Sequence, residues 1–161
     1  MKLLVFATAL LAMASGKKEI IMPPDPNAAL TKEFGGKVWA DDDAIPNNTP
    51  ETLKAWIAGQ KEGVELRRKG KEGPWPVSYV AVFKKPAAKG PITVRFFERG
   101  DPKHVVDQYS PENDLATSVF AGQYDLDPDL GFNKDRTYVV KVGQLIKGKF
   151  QAYATGELTL K

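Results

Sequence analysis

Apolar and polar residues alternate with a period of two through the second half of the chain, and this pattern predicts β-strands. The strand that begins at Trp75 has apolar residues on both of its faces. Val77 and Tyr79 lie on one face, and Val80 and Val82 lie on the other. A strand with this pattern is covered on both faces, so we expect it to be central in its sheet.

Turn-forming residues divide the rest of this half into further strands. These strands are expected over residues 92–99, 104–109, 117–126, 138–142 and 150–160. In the last of them Phe150, Ala154 and Leu158 share one face, and Gly156 is expected to mark a bulge or a close approach of another backbone. Short strands separated by turns favour a mainly β fold, and specifically an antiparallel two-sheet sandwich with an immunoglobulin-like arrangement.

Two helices are predicted in the first half, where proline, glycine and charged residues interrupt the apolar runs. The first begins near Pro26 and stops after Phe34, where two glycines follow. The second has Thr49 as a hydroxyl cap and Pro50 at its first position. Its apolar positions fall on one helical face: Leu53, Trp56 and Ile57.

The chain is expected to form one compact domain after loss of a short leader. Residues 1–16 form the leader, residues 17–75 an N-terminal extension, and residues 76–161 the β-sandwich core. The extension is expected to hold a short strand over residues 17–21 and a helix that packs on the sheet. Three tryptophans are expected to join the extension to the core: Trp39, Trp56 and Trp75. The alternative, which is less favoured, is an exposed aromatic platform that binds carbohydrate.

The leader has the three features of a secretory signal peptide. Lys2 precedes an apolar run over residues 3–14, and small residues at Ala12, Ala14 and Gly16 offer cleavage sites. The run is shorter than the roughly 20 residues that span a bilayer, so export is favoured over a membrane anchor or a buried helix. No cysteine follows the run to carry a lipid. We therefore predict a periplasmic or extracellular protein of bacterial type without a lipid anchor.

The composition is that of a folded globular protein, with 42% hydrophobic and 27% charged residues. Cysteine is absent, which excludes disulfides, thiolate catalysis and cysteine-ligated metals. The formal net charge of +3 is too small to indicate a nucleic-acid-binding protein. The domain must then derive its stability from its apolar core.

The strongest candidate metal ligands are Asp125, Asp127 and Asp129, which alternate within a turn. Calcium needs several oxygen ligands that a tight loop can fold around it. In a helix-loop-helix calcium loop the sixth residue is glycine and the twelfth is glutamate, but here these positions hold Leu130 and Arg136. The pattern favours a strand-to-strand turn over a calcium loop, and we predict neither a metal nor another cofactor.

Two weaker candidates are an acidic run and a lone histidine. Asp41, Asp42 and Asp43 repel one another and are expected to be solvated, with a calcium role only if residues distant in sequence join them. His104 is the sole histidine, and no Gly-x-Ser-x-Gly nucleophile motif accompanies it. A solvated side chain is favoured there over a general base.

Five cations lie within one eleven-residue stretch close to Trp75. They are Lys61, Arg67, Arg68, Lys69 and Lys71, with Glu62, Glu65 and Glu72 interleaved. The interleaved acids favour a solvated face. The alternative is a surface that binds an anionic polymer, a lipid headgroup or an acidic protein.

These features predict a non-catalytic binding or structural module of the cell envelope or extracellular space, with a protein or an anionic envelope polymer as its partner. No combination of nucleophile, base and acid is visible, so no catalytic residue is predicted. The alternative is a hydrolase that acts on an envelope polymer through two carboxylates, which could be any pair among 20 acidic residues.

Overall fold

The computed structural model describes residues 25–68, 70 and 72–161. The predicted leader over residues 1–16 and the predicted strand over residues 17–21 lie outside the described residues. Lys69 and Lys71 of the basic stretch also lie outside them.

Two α-helices and eight strands make up the described chain, together with one turn of 3-10 helix over Pro128–Leu130. Helix α1 spans Ala28–Phe34 and helix α2 spans Pro50–Ala58. The strands are β1 Lys37–Asp41, β2 Val64–Leu66, β3 Trp75–Ala87, β4 Thr93–Glu98, β5 Val105–Tyr109, β6 Thr117–Leu126, β7 Thr137–Ile146 and β8 Lys149–Leu160. Within the described ranges, neither helix has the length and apolar character needed to cross a bilayer.

All eight strands belong to one curled sheet that forms a half-barrel, with the order β5-β4-β7-β8-β1-β3-β6 and with β2 paired to β8. Most pairs are antiparallel, but β1 and β2 both run parallel to β8. The mainly β fold is thus confirmed, whereas the expected pair of antiparallel sheets is not found. The physical reason is β1, which lies between β8 and β3 and joins strands that a sandwich would place in separate sheets.

The inner face of the curled sheet encloses the main core, in which Trp75, Phe132 and Tyr138 are fully buried. The two edge strands, β5 and β6, approach each other through side chains. The rings of Tyr109 and Tyr124 stack with their centroids 4.1 Å apart, and the Tyr124 hydroxyl donates to the Asp107 carboxylate at 2.6 Å. We call this contact between β5 and β6 the tyrosine seam.

Both helices pack on the outer face of the sheet, over β3 and β6. The predicted helices are confirmed, and the Thr49 side chain caps α2 by accepting the Thr52 N–H at 3.3 Å. The apolar residues under the helices form a second cluster of buried side chains: Leu30, Leu53, Ile57, Val80 and Val82. The prediction that β3 is covered on both faces is therefore confirmed.

Strand β8 departs from its predicted alternation at a bulge. Its register with β7 shifts between Val142 and Gly143, which leaves Tyr153 as an extra residue. An extra residue moves every side chain beyond it to the opposite face. Phe150 consequently lies on the outer face, where the Arg95 guanidinium sits 4.4 Å from the ring centroid, and not towards the core as predicted.

Gly156 is the point at which β1 approaches β8 most closely. A Cβ at this position would collide with the carbonyl oxygen of Val38. The prediction of a close backbone approach is confirmed, and only glycine allows β1 to enter the sheet here.

Candidate anion-binding site

Four cationic side chains from three separate segments line one cavity of about 380 Å³, which we call the cationic pocket. Arg67 and Arg68 follow β2, Lys134 lies in the turn before β7, and Lys161 follows β8. The parallel pairing of β2 with the end of β8 places the first and last of these segments side by side. Sheet topology therefore gathers cations that are far apart in sequence.

Backbone hydrogen bonds fix the three segments relative to one another. The Lys161 N–H donates to the Leu66 carbonyl at 2.9 Å, and the Asp135 N–H donates to the Leu160 carbonyl at 2.7 Å. These hydrogen bonds extend the backbone pairing of the sheet as far as the cationic pocket. The segments that carry the cations are therefore held in fixed positions.

Trp75 contacts two residues of the cationic pocket. Its ring is fully buried, and its indole N–H donates to the Lys161 carbonyl at 2.9 Å. The Arg68 guanidinium lies 3.7 Å from the centroid of the same ring. This cation–π contact orients Arg68 at the pocket.

The pocket keeps an excess of positive charge. Lys161 pairs with Asp135 at 3.6 Å, but both side chains are largely exposed, so solvent weakens this pair. Arginine presents a planar fork that matches carboxylate, sulfate or phosphate oxygens, and lysine adds a compact charge. The arrangement can therefore bind an anion by charge and hydrogen bonding.

Only part of this site is predicted from the sequence. Arg67 and Arg68 were predicted within the basic stretch, whereas Lys61 does not line the cavity. The sequence does not indicate Lys134 or Lys161 as site residues. The parallel pairing of β2 with β8 brings their segments to the pocket, and this pairing produces no local pattern in the sequence.

The acidic run forms a compact cluster at the end of β1. The carboxylate oxygens of Asp41, Asp42 and Asp43 all lie within 4.8 Å of one another. Burial raises the pKa of Asp42, and contact with Asp41 and the charge of Asp43 raise it further. Such a cluster offers hard oxygen ligands, and its negative charge is unfavourable when nothing compensates it.

Asp42 of this cluster and Asp125 of the alternating set of aspartates line the same groove, which has a volume of about 270 Å³. Ser78 and Gln123 lie in the groove between them, and the Gln123 amide donates to the Ser78 hydroxyl at 3.4 Å. The groove thus combines two carboxylates with neutral hydrogen-bonding groups.

Asp125 does not share its surroundings with the other two members of its alternating set. It ends β6 beside the groove, whereas Asp127 caps the 3-10 turn by accepting the Asp129 N–H at 2.9 Å. The carboxylate of Asp127 thus stabilises the turn, which agrees with the prediction of a strand-to-strand turn at these residues.

His104 is exposed just before β5, and its backbone N–H donates to the Asp101 carboxylate at 3.3 Å. It lines a cavity of about 300 Å³ together with Glu98 and Asp101. The described residues around this cavity include no serine, threonine or lysine.

No protein-family model, curated protein or solved structure matches the chain. A function must therefore be inferred from the chemistry of its sites. Of the described cavities, the cationic pocket has the most pronounced charge, with four cationic residues in its lining.

Proposed function

We propose that this protein is an exported, non-catalytic module that binds an anionic polymer of the cell envelope through the cationic pocket. The observation that carries the proposal is the convergence of Arg67, Arg68, Lys134 and Lys161 around one cavity. Like charges on the walls of a cavity create a local potential that attracts an anion. Export rests on the signal-peptide pattern of residues 1–16.

The exposure of the cations favours a polymer over a small anion. Arg67, Lys134 and Lys161 are exposed, and an exposed charge pair contributes only about 0.2–1 kcal/mol. A ligand with one charged group would therefore bind weakly. A polymer repeats its charged group along the chain, so successive contacts act together.

Binding can be tested with polygalacturonate, a polymer of acidic sugars, using full-length protein labelled for fluorescence anisotropy. We expect binding that weakens as salt is added, because salt screens exposed charges. Arg67→Gln combined with Lys134→Gln should weaken binding about tenfold, which corresponds to about 1.4 kcal/mol.

The matched control is Lys89→Gln with Lys103→Gln, which removes the same charge from exposed positions outside the cationic pocket. This control should bind like the wild type, and neutral dextran should not bind. Equal affinity for dextran, or a pocket variant that binds like the wild type, would exclude the proposed function.

Export is tested by sequencing the N-terminus of the protein recovered from its native host or from a secreting bacterium. We expect the mature chain to begin at Ser15 or Lys17, after one of the small-residue cleavage sites. A chain recovered only with Met1 in place would contradict export.

A second candidate is a hydrolase of envelope polymers, favoured by the groove that holds Asp42 and Asp125. A general acid needs a raised pKa, and burial raises that of Asp42. Release of reducing ends from a panel of bacterial polysaccharides tests this candidate. Release by the wild type and its loss in Asp42→Asn would support a hydrolase, whereas equal background release by both proteins would exclude it.

A further inference from the structure

A single cross-strand row of polar residues runs over five strands of the outer sheet face. Gln108 on β5 pairs with Arg95 on β4, Arg95 with Lys141 on β7, Lys141 with Thr155 on β8, and Thr155 with Lys37 on β1. Residues paired directly across strands point to the same face. Their chain neighbours Val94, Val140 and Ala154 belong to the inner core, which assigns the row to the outer face.

Each cation of this row lies over an aromatic ring. The distance to the ring centroid is 4.4 Å from Arg95 to Phe150, 4.7 Å from Lys141 to Phe97, and 5.5 Å from Lys37 to Trp39. These contacts hold the cations in place and partly offset the cost of fixing long side chains.

Arg95 and Lys141 are the cations of the row that carry the charge a ligand would meet, and Arg95 is oriented by its Nε, which donates to the Gln108 side-chain oxygen at 2.9 Å. Lys37 pairs with Glu62, whereas neither Arg95 nor Lys141 has an acidic side chain in salt-bridge contact within the described ranges. The helices cover β3 and β6 and leave this part of the outer face open.

We propose that this row is a second subsite for the polymer bound by the cationic pocket, and that the polymer is an acidic polysaccharide. The inference rests on the proposed function. Neighbouring strands lie about 4.8 Å apart, which is close to the length of one pyranose residue in an extended polysaccharide. Arg95 and Lys141 can therefore meet acidic groups on successive sugars, while Gln108 and Thr155 offer hydrogen bonds to hydroxyl groups.

The coverage of the aromatic rings favours a saccharide over single-stranded nucleic acid. Proteins that bind single strands stack bases on exposed aromatic rings. Here the cations occupy that position, and Phe97 is only 6% exposed. The row thus offers charge and hydrogen bonds but no free ring for a base.

The row and the cationic pocket are within reach of one polymer chain that crosses β4 and β7 and then turns along β8. Thr155 and Lys161 are separated by six residues along β8, or about 20 Å at the rise of a β-strand. Trigalacturonate is too short to contact both subsites, whereas polygalacturonate can bridge them and gain affinity by doing so.

The test compares these two probes by two-dimensional NMR titration and anisotropy on the full chain. We expect trigalacturonate to shift resonances around the cationic pocket and polygalacturonate to shift those of the row as well. Arg95→Gln with Lys141→Gln should weaken polymer binding about tenfold and leave trisaccharide binding at the pocket within twofold of wild type. The charge-preserving variant Arg95→Lys with Lys141→Arg should bind the polymer like the wild type.

The outcomes separate the two proposals. If neither probe binds, the proposed function fails and the second subsite fails with it. If the polymer binds but Arg95→Gln with Lys141→Gln has no effect, the second subsite alone is wrong. Loss of binding in the charge-preserving variant would contradict the role of charge, and equal affinity for oligothymidylate of matched charge would overturn the assignment to a saccharide.

Discussion

The two halves of the outer sheet face carry different kinds of side chain. On the half formed by β3 and β6, Val80, Val82 and Ala121 face the helices and join their apolar cluster. On the half that includes β4 and β7, outward positions hold Arg95 and Lys141, and neither described helix covers them. The difference shows where the helices bury the sheet and where neither described helix covers it.

Replacing a buried residue under the helices should have the largest effect on stability. Leu53 is 2% exposed, so Leu53→Ala should lower the free energy of unfolding by about 2–4 kcal/mol. The matched change on the open half, Thr155→Ala, should stay within about 0.5 kcal/mol of wild type. Urea denaturation measures both, and equal losses would contradict the division of the outer face.

Alkaline pH should open the tyrosine seam, where the two halves meet. Burial raises the pKa of Tyr124 to about 12 and raises that of Tyr109 as well. The Tyr109 hydroxyl donates to the hydroxyl of Tyr79 on β3, and burial raises the pKa of Tyr79 to about 12. Unfolded tyrosines ionise near pH 10, so the folded protein retains protons that the unfolded chain releases. Stability from these groups is complete below pH 10 and is lost as the pH rises towards 12.

Urea denaturation across this pH range, together with tyrosinate absorbance, measures the effect. Tyr109→Phe should reduce the dependence of stability on pH, because it removes one of the raised pKa values. Tyrosine ionisation near pH 10 without any loss of stability would show that the seam is not buried in solution.

Removing both cations of the open half should change stability little. Arg95→Gln with Lys141→Gln should alter the free energy of unfolding by less than about 1 kcal/mol, because both side chains are only half-buried and solvent weakens the contacts of their charges. Thermal melts at neutral pH check this expectation. A much larger loss would show that these cations serve the fold instead of a ligand.

Neutralising the acidic cluster should stabilise the protein slightly. The raised pKa of Asp42 means that its protonated form is favoured in the fold, so its charge is unfavourable above the usual value of 3.8. Asp42→Asn should raise the melting temperature at neutral pH by one or two degrees, and this gain should vanish below pH 3.8. Lower stability at neutral pH would indicate that the carboxylate makes a favourable contact.

Calcium should produce the smallest effect. Melts with calcium and with a chelator should coincide, because Asp127 caps a turn and the acidic positions do not match a calcium loop. A rise with calcium in the wild type that is absent in Asp42→Asn would identify the cluster as a cation site.

The sequence predicts elements whose signal is local. Strand β6, the caps of α2 and both faces of β3 were anticipated because apolar spacing and cap residues lie within each element. Strands β1 and β2 were missed because they are short and pair in parallel with the distant β8. The same pairing distinguishes a sandwich from a half-barrel, so the two-sheet arrangement was expected because these strands were missed, whereas the mainly β class is confirmed.

The residues of the cationic pocket also fall into two groups, one that the local sequence indicates and one that only the fold brings to the pocket. Arg67 and Arg68 were found from local charge, while Lys134 and Lys161 join them only through the sheet. The outer position of Phe150 depends on the bulge at Tyr153, which no residue in that strand marks. The basic stretch, for which the sequence favours a solvated face, thus contains two of the four cations of the cationic pocket, and the sheet topology brings in the other two.

The most direct test of the account is a chemical-shift map of the full chain titrated with polygalacturonate. We predict shifts at Arg67 and Lys134 in the cationic pocket and at Arg95 and Lys141 on the open half, with none under the helices around Leu53. Shifts confined to the helix-covered half, or no shifts at low salt, would contradict the claim that the open outer face binds an anionic polymer.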